Sequence, residues 1–228
     1  MKKIVVFSGA GISAESGLNT FRDSDGLWEN YEITEVATPE AWERNPALVL
    51  NFYNMRRKQV LAAQPNLAHL CINDLAKVFD VTVITQNIDD LHERAGNQKI
   101  LHLHGEILKA RSTVTEKVYS LKSKELNVGD LCPKKGQLRP HIVWFGEAVP
   151  NMMEAAKICE NTDILIVVGT SLNVYPAANV VDFVPHGCKI YLIDPKEVTH
   201  GYQNNILFIQ ENASVGLPQL VKQLLSEK

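Results

Sequence analysis

The feature that most constrains the fold is a run of consecutive apolar residues, Ile164–Val168. A strand with no polar position has no face that can lie against water, so other elements must cover it on both sides. Such strands are typical of parallel sheets that carry helices on both faces. The run therefore predicts a buried strand in an α/β fold.

Short β-branched runs alternate with longer helical patterns along the rest of the chain. The predicted strands are Lys3–Phe7, Val81–Thr85, Lys99–His102, Asp163–Val168, Lys189–Ile193 and Ile206–Ile209. The predicted helices are Pro46–Leu61, Leu67–Val78, Met152–Cys159, Ala177–Phe183 and Pro218–Leu225. Asn45 before Pro46 is typical of an N-cap followed by proline at the first helical position. The alternation predicts an α/β domain with a mostly parallel sheet.

Two segments interrupt this alternation. Residues 17–80 show no convincing strand, and residues 106–140 are polar, Lys-rich and poorly periodic. We interpret the chain as a single domain, residues 1–228. Its sheet core comprises 1–30, 80–105 and 140–228, with a helical insertion at 31–79 and a small irregular lobe at 106–139.

Charge and composition exclude several classes of protein. Lys and Arg total 23 and Asp and Glu total 26, giving a net charge of -3 and no electrostatic footprint for nucleic acid or an anionic membrane. The apolar stretch after Lys3 is too short for an export signal, and no run approaches the ~20 apolar residues of a membrane span. We expect a cytoplasmic protein. Its four cysteines form no C-x-x-C pair, which favours reduced thiols over disulfides or a cysteine metal site.

A glycine-rich turn, Ser8–Gly17, follows the first predicted strand. Gly9 and Gly11 would let the backbone approach a pyrophosphate, although a tight strand-to-helix turn needs glycines as well. A dehydrogenase would place an acidic residue on a second strand about 20 positions later. Here a polar and aromatic loop, Thr20–Trp28, stands instead. It suggests a lid over a nucleotide and makes hydride transfer a poor fit.

Three apolar strands end in polar clusters, Thr85–Asp90, Gly169–Ser171 and Asp194–Lys196. Each cluster would also serve as the N-cap of a following helix. Because ligands of open α/β sheets gather beyond the carboxyl ends of the strands, the clusters and the glycine turn together favour one shared ligand site.

Two histidines, His102 and His104, close the third predicted strand. Alternation would place both imidazoles on one face, where a metal pair is conceivable, but no third ligand is evident. His102 also fits a packed core histidine. His104, at the strand end before Gly105, is the better candidate for a general base near neutral pH.

Tyr53 and Arg56 lie at i and i+3 on one face of a predicted helix. A guanidinium binds a carboxylate through two parallel hydrogen bonds, and a phenol adds a third. The alternative is a solvated basic stripe, Arg56–Lys58, which composition alone favours.

Taken in order, these motifs resemble those of the sirtuin family, the NAD-dependent protein lysine deacylases. The motifs are Gly9–Ser13, Thr20–Arg22, Thr85–Asp89, His104-Gly105, Val143–Glu147 and Gly169–Ser171, and they span nearly the whole chain. The resemblance implies a Rossmann-like NAD domain with a small inserted lobe and an acyl-lysine peptide in the cleft between them. It also implies release of nicotinamide and O-acyl-ADP-ribose, with NAD as cosubstrate and acylated protein lysines as partners.

The resemblance assigns roles to individual residues. His104 would be the general base that activates a ribose hydroxyl, Asn87 and Asp89 would organise the nicotinamide pocket, and Phe21 would shield the reaction centre from water. Asp194 stands where many members carry Asn. The implied cofactor-binding residues are Gly9, Ala10, Gly11, Ser13, Thr20, Phe21, Arg22, Trp28, Gln86, Asn87, Ile88, Asp89, Gly169, Thr170, Ser171, Asp194 and Ala213. The implied peptide-binding residues are Val143, Phe145, Gly146 and Glu147.

Tyr53 and Arg56 also resemble the Tyr-x-x-Arg pair of the class III subgroup, which recognises succinyl- and malonyl-lysine. This resemblance reverses the preference for a solvated stripe and predicts an acidic-acyl preference with some deacetylase activity. The alternatives are an NAD glycohydrolase or ADP-ribosyltransferase, and a non-catalytic NAD-binding module.

The chain departs from the family in the small lobe. Most sirtuins carry four zinc cysteines there, whereas Glu106–Arg139 contains one, Cys132, and no histidine. A four-coordinate zinc cannot be built from this segment. We therefore predict no metal, and a lobe that is held by its own packing.

Overall fold

The computed structural model describes residues 1–19, 31–122, 124–170, 172, 174–196 and 206–227, together with the backbone of 27–28. The strands are β1 (Lys3–Ser8), β2 (Leu27–Trp28), β3 (Tyr31–Glu32), β4 (Asp80–Thr85), β5 (Ile100–His102), β6 (Gly105–Ser112), β7 (Val118–Ser120), β8 (Leu138–Ile142), β9 (Ile164–Val168), β10 (Lys189–Ile193) and β11 (Ile206–Ile209). Six of them form a parallel sheet in the order β11-β10-β9-β1-β4-β5.

The α-helices are α1 (Gly11–Ala14), α2 (Ile33–Val36), α3 (Pro39–Arg44), α4 (Pro46–Ala62), α5 (Leu67–Ala76), α6 (Leu91–Arg94), α7 (Met152–Cys159) and α8 (Ala213–Ser226), and Ala177–Phe183 forms a 3₁₀ helix. The predicted cap of α4 is confirmed, because the Asn45 side chain accepts a hydrogen bond from the Leu48 amide and Pro46 opens the helix. No helix of the described residues is long and apolar enough to cross a membrane.

Helices cover both faces of the parallel sheet, as the apolar run predicted. Ile164, Ile166 and Val168 of β9 pack in one cluster with α5 and α8. Leu165 and Val167, which alternate with them, pack in a second cluster with α7 and the 3₁₀ helix. Burial of each such aliphatic side chain stabilises the fold by about 1.5–3 kcal/mol. The α/β fold with a Rossmann-like parallel sheet is confirmed.

The predicted start of the last helix at Pro218 was wrong. Helix α8 begins at Ala213, and the Gly216 amide already donates to the Asn212 carbonyl. Proline favours the first turn of a helix but is tolerated further in where packing is strong. Here Leu217, Leu220 and Val221 are buried against the sheet, and this burial outweighs the hydrogen bond that Pro218 cannot donate.

The expectation of an irregular lobe at 106–139 was also wrong. Strand β6 pairs antiparallel with β7 and β8, forming a three-stranded sheet in the order β7-β6-β8. The pairing of β6 with β8 shifts register between Gly105 and Ala110, and this irregularity hides the two-residue alternation in the sequence. A small apolar cluster of Leu50, Ala110, Leu121 and Leu126 joins this sheet to α4.

The segment predicted as one helical insertion, 31–79, divides into two parts. Helix α5 packs on the parallel sheet and against α8, so it belongs to the sheet layer. Helices α2, α3 and α4 form a separate cluster with residues of the antiparallel sheet and the loop after it. The carboxyl edge of the parallel sheet faces this second body, and the candidate site lies there.

Candidate active site

One cavity at the carboxyl edge of the parallel sheet collects most of the residues singled out in the sequence. The elements that supply them are the loops after β1, β4 and β5, helix α4 and the loop after β8. Its lining includes Ala10, Ser13, Tyr53, Arg56, Gln86, Asn87, Ile88, Asp89, His104, Val143, Phe145, Gly146 and Glu147. Residues of the predicted nucleotide, catalytic and acyl sites thus share one space.

The glycine turn after β1 packs backbone-to-backbone against the turn after β9. A Cβ on Gly9 would lie 2.6 Å from the Thr170 Cβ, and one on Gly11 would lie 2.7 Å from the Gly169 Cα. The Gly11 amide donates to the Gly169 carbonyl over 2.8 Å. This close contact by itself requires glycine at both positions. The glycines therefore do not distinguish a tight turn from a pyrophosphate site, and the case for a nucleotide depends on the polar groups nearby.

Gln86 supplies such a polar group. Its Oε1 accepts a hydrogen bond from Thr170 Oγ1 over 3.0 Å. Its Nε2 is buried and has no hydrogen-bond partner among the described residues. A buried donor without a partner is costly, and an acceptor on a ligand would relieve that cost. The donor set at this edge therefore fits a nucleotide rich in acceptor oxygens.

A directed hydrogen-bond chain holds Asn87 and Asp89. Asn87 Nδ2 donates to Ser13 Oγ over 3.1 Å, and Ser13 Oγ donates to Asp89 Oδ2 over 3.0 Å. Asp89 Oδ1 accepts from the Leu91 amide. Both side chains are buried, and burial raises the pKa of Asp89. The two predicted catalytic polar groups are thereby fixed at the cavity wall.

His104 lines the same cavity with one ring nitrogen occupied. Its Nδ1 lies 3.0 Å from the Gln86 carbonyl oxygen, so Nδ1 carries the hydrogen and Nε2 is the basic nitrogen. Burial lowers the pKa of His104 below 6.5, which keeps the imidazole neutral at pH 7. Gly105 has φ +83°, and a Cβ there would collide with the His141 carbonyl oxygen. This turn aims His104 differently from the residues of β5.

The expectation that His102 and His104 share one strand face was wrong, because β5 ends at His102. His102 Nδ1 lies 2.8 Å from the Asn87 carbonyl oxygen, and Nε2 lies 2.8 Å from Glu93 Oε1. The ring is 8% exposed and does not line the cavity. His102 is therefore the packed histidine of the alternative interpretation.

Helix α4 places Tyr53 and Arg56 one turn apart on the cavity wall. Tyr53 is fully buried and Arg56 is 6% exposed, so the alternative of a solvated stripe is wrong for Arg56. It is also wrong for the buried Arg57, whose Nε donates to the Ile107 carbonyl and anchors β6. Of these three residues only Lys58 is solvated, and its ammonium group pairs with Glu125 at the surface.

The loop after β8 forms a further part of the cavity wall. The Val143 amide donates to the His104 carbonyl over 2.9 Å, and the Phe145 amide donates to the Ala37 carbonyl over 3.0 Å. The Glu147 carboxylate accepts from Arg139, Arg111 and the Trp144 amide. Its side chain therefore anchors the loop at the cavity wall.

Some predicted residues lie elsewhere. Asp194, at the end of β10, accepts from the Lys196 amide, and Ala213 packs in the apolar cluster beneath α8, so neither lines the cavity. Thr20, Phe21, Arg22, Ser171 and the side chain of Trp28 lie outside the described residues.

Sequence reasoning missed Trp144 and Arg139. The indole Nε1 of Trp144 donates to Tyr53 Oη over 3.1 Å, and the Arg139 guanidinium stacks on the indole. Trp144 stands inside the Val143–Glu147 motif, so an aromatic residue between two predicted contacts was the signal available.

The donor set of the lobe does not fit a four-coordinate zinc. Cys132 Sγ lies 3.2 Å from Ser112 Oγ. Among the described residues, the one group of three potential metal ligands within reach of each other is Glu93, His102 and Glu106, outside the lobe's turns. Both ring nitrogens of His102 already have hydrogen-bond partners there.

The sequence and the fold are similar to those of known proteins over nearly the whole chain. Residues 9–176 match the Sir2 family. An NAD-dependent protein deacylase of Bacteroides thetaiotaomicron is 52% identical over 231 residues, covering 99% of this chain and 98% of the relative. One of Helicobacter pylori strain 26695 is 50% identical over 225 residues, covering 99% and 98%. A Sir2 homologue in complex with NAD has a TM-score of 0.88 and 37% identity, covering 99% of this chain and 90% of that one. A complex of a Sir2 homologue with ADP-ribose also has a TM-score of 0.88, with 36% identity, covering 100% and 94%.

Proposed function

The chain belongs to the Sir2 family and is an NAD-dependent protein deacylase, and we propose that it prefers lysines carrying succinyl or malonyl groups. The observation that carries this proposal is the buried Tyr53 and Arg56 pair, which lines the same cavity as His104. Acetyl-lysine is then a secondary substrate. The relatives are NAD-dependent protein deacylases, which favours deacylation over a glycohydrolase activity or a non-catalytic module.

The acyl preference follows from the cost of burying charge. A guanidinium facing an acetyl methyl gains no hydrogen bond from it, whereas the distal carboxylate of a succinyl or malonyl group accepts two. The Tyr53 phenol adds a further donor, because burial raises its pKa and keeps it protonated. A site built around such donors disfavours an acyl group that lacks the acceptor.

NAD would lie along the carboxyl edge, against the Gly9–Ser13 turn, Gln86 and Thr170. Gln86 Nε2 would donate to its oxygens. By resemblance, Thr20, Phe21, Arg22, Trp28 and Ser171 would complete this site, with Asp194 and Ala213 nearer the adenosine end. When bound, NAD would supply a glycosidic bond that breaks to release nicotinamide and an ADP-ribose moiety that accepts the acyl group as the lysine amine is released.

We assign the catalytic proton transfer to His104. Its Nε2 would accept a proton from a ribose hydroxyl of bound NAD, since the Gln86 carbonyl fixes the hydrogen on Nδ1. Asn87 and Asp89, which are held by their hydrogen bonds with Ser13, would position the nicotinamide and ribose. The peptide would pair with the backbone of Val143, Phe145 and Gly146, beside the loop that Glu147 anchors. The products are nicotinamide and O-acyl-ADP-ribose, and a cytoplasmic location remains a prediction.

The test compares one peptide carrying succinyl-lysine or acetyl-lysine, with wild type and Arg56→Met. We expect Arg56→Met to lower kcat/KM for the succinyl peptide about 100-fold, the cost of losing one partner of a buried charge pair. The matched control is Lys58→Met, which removes an exposed cation two residues along the same helix. It should leave the ratio of kcat/KM for the succinyl and acetyl peptides unchanged. An unchanged ratio in Arg56→Met contradicts the acyl preference. A rate of nicotinamide release that is the same with and without the acyl peptide would instead favour glycohydrolysis.

A further inference from the structure

We propose that Trp144 is a specificity-determining residue, whose indole N–H fixes the Tyr53 hydroxyl in the orientation that receives an acyl carboxylate. This inference rests on the proposed preference for succinyl and malonyl groups. Trp144 Nε1 donates to Tyr53 Oη over 3.1 Å, and both side chains are buried. Both also line the cavity together with Arg56. Trp144 would therefore act through Tyr53, as a positioning residue.

The argument follows from what each group can donate. An indole nitrogen donates a hydrogen bond and cannot accept one, whereas a phenol oxygen does both. The bond from Trp144 therefore uses an acceptor position of the Tyr53 oxygen, and the phenolic hydrogen points away from the indole. A carboxylate is an acceptor, so Tyr53 can bind it through that hydrogen alone. Loss of the indole N–H would remove one restraint on this orientation.

The indole is itself held rigidly. The Arg139 guanidinium lies 3.2 Å from the indole ring centroid. Arg139 also donates two hydrogen bonds to Glu147, over 2.7 and 3.1 Å, and the Trp144 amide donates to the same carboxylate over 2.7 Å. A stacked and bidentate arginine of this kind fixes the plane of the ring. A series of contacts thus connects the loop after β8 to the acyl pocket, running from Glu147 through Arg139 and Trp144 to Tyr53.

The first test is Trp144→Phe, which keeps an aromatic ring and removes the N–H donor. We expect the ratio of kcat/KM for succinyl and acetyl peptides to fall about three- to tenfold, the value of one hydrogen bond. The loss should appear in KM for the succinyl peptide. In a Tyr53→Phe background the same change should alter the ratio by less than about twofold, because the acceptor is already gone.

The matched control is Trp42→Phe. Trp42 packs beside Trp144, with ring centroids 5.8 Å apart. Its substitution also replaces an indole by a phenyl ring, but it leaves the bond between Trp144 and Tyr53 in place. Its ratio should stay within about twofold of wild type. A Trp144→Phe effect that is equal for both peptides, or that adds to Tyr53→Phe, would show a merely structural role and overturn the inference.

Two further outcomes keep the test decisive. If Trp144→Phe does not fold, Arg139→Lys removes the planar stack while keeping the charge, and the same selective loss is expected from it. Its absence would overturn the inference. If Arg56→Met leaves the ratio unchanged, the proposed acyl preference fails together with the role of Trp144. A ratio that falls with Arg56→Met and not with Trp144→Phe overturns the role of Trp144 alone.

Discussion

His102 and His104 lie two positions apart, and their surroundings shift their protonation in opposite directions. Burial lowers the pKa of His104, and its hydrogen bond to the Gln86 carbonyl does not offset this. Burial alone would lower the pKa of His102, but the hydrogen bond and charge of Glu93, the Asn87 carbonyl and the charge of Glu106 together outweigh it, so the net shift is upward. Since the nitrogens of His102 face a carbonyl and a carboxylate, both carry hydrogens. One ring is a base and the other is a cation that clamps the Asn87 backbone.

This difference predicts the pH dependence of the two rings. Because the pKa of His104 lies below 6.5, its base form persists at pH 7 and is lost as the pH falls through that lowered value. His102 should lose its proton above 6.5. NMR titration of the imidazole C–H signals, assigned with His102→Gln and His104→Ala, measures both. A His104 that titrates above His102 would contradict the assignment of base and cation.

Single residues differ in how far the sequence predicts them. Helical spacing brought Tyr53 and Arg56 together, because residues three apart share a face whatever the tertiary fold. The relation of His102 to His104 was mispredicted, because the end of β5 and the positive φ of Gly105 are set by contact with the His141 backbone. Trp144 was missed because its bond to Tyr53 joins residues 91 apart in the chain.

At the scale of the elements, helix α4 serves both the cavity and the small lobe. Tyr53 and Arg56 line the cavity. On another face, Asn54 Nδ2 donates to the Leu126 carbonyl, and Arg57 Nε donates to the Ile107 carbonyl. These bonds fix the antiparallel sheet to the helix that carries the acyl contacts. The lobe is thereby positioned by side-chain hydrogen bonds from α4.

Two turns of the lobe meet at one buried hydroxyl. Ser112 Oγ accepts from the Val114 and Thr115 amides, and Cys132 Sγ lies 3.2 Å away. The Cys132 carbonyl also accepts a hydrogen bond from the Lys135 amide, and this bond closes the second turn. Ser112 therefore joins the turn after β6 to the turn before β8.

We expect Ser112→Ala to lower the free energy of unfolding by about 1–3 kcal/mol, since it leaves buried polar groups without their partner. Urea or thermal unfolding measures the change. The control is Ser120→Ala, an exposed serine of the same sheet, for which about 0.5 kcal/mol or less is expected. Equal effects of the two changes would contradict the role of the Ser112 contact.

The lobe should also be independent of zinc. Purified protein is expected to contain far less than one zinc per chain by metal analysis, and chelation with EDTA should leave its Tm and deacylation rate unchanged. A structural zinc would contribute folding free energy directly, so its removal would unfold the lobe. Stoichiometric zinc with a lower Tm after chelation would contradict the prediction.

The sequence predicted the elements of the parallel sheet better than those of the lobe. Strands such as β1 and β9 bury every residue or nearly every residue, so their apolar runs stand out. The lobe strands are half-exposed and one is bulged, so their pattern is weak. Helix α8 was predicted too short, because its burial against β10 overrides the local preference of Pro218.

At the scale of the whole molecule, function depends on where two bodies meet. The parallel sheet presents Ser13, Gln86, Asn87, Asp89 and His104 from its carboxyl edge, while α4 and the loop after β8 supply the acyl and peptide walls. The fold could be predicted from the apolar strands and the ligand site from the polar strand ends, where α/β sheets bind ligands, whereas the reaction class came from the resemblance of the motifs to the sirtuin family. The packing contacts that close the cavity, such as the bond between Trp144 and Tyr53, could not be predicted, since they depend on how the loop after β8 and α4 pack over that edge.

The most direct test of this account is the NAD-dependent turnover of one peptide by the wild-type protein, with the lysine succinylated, malonylated or acetylated in turn. The account predicts that kcat/KM for the succinyl or malonyl peptide exceeds that for the acetyl peptide by tenfold or more, about the value of one charge-assisted hydrogen bond. Equal turnover of all three peptides, or fastest removal of acetyl, would contradict it.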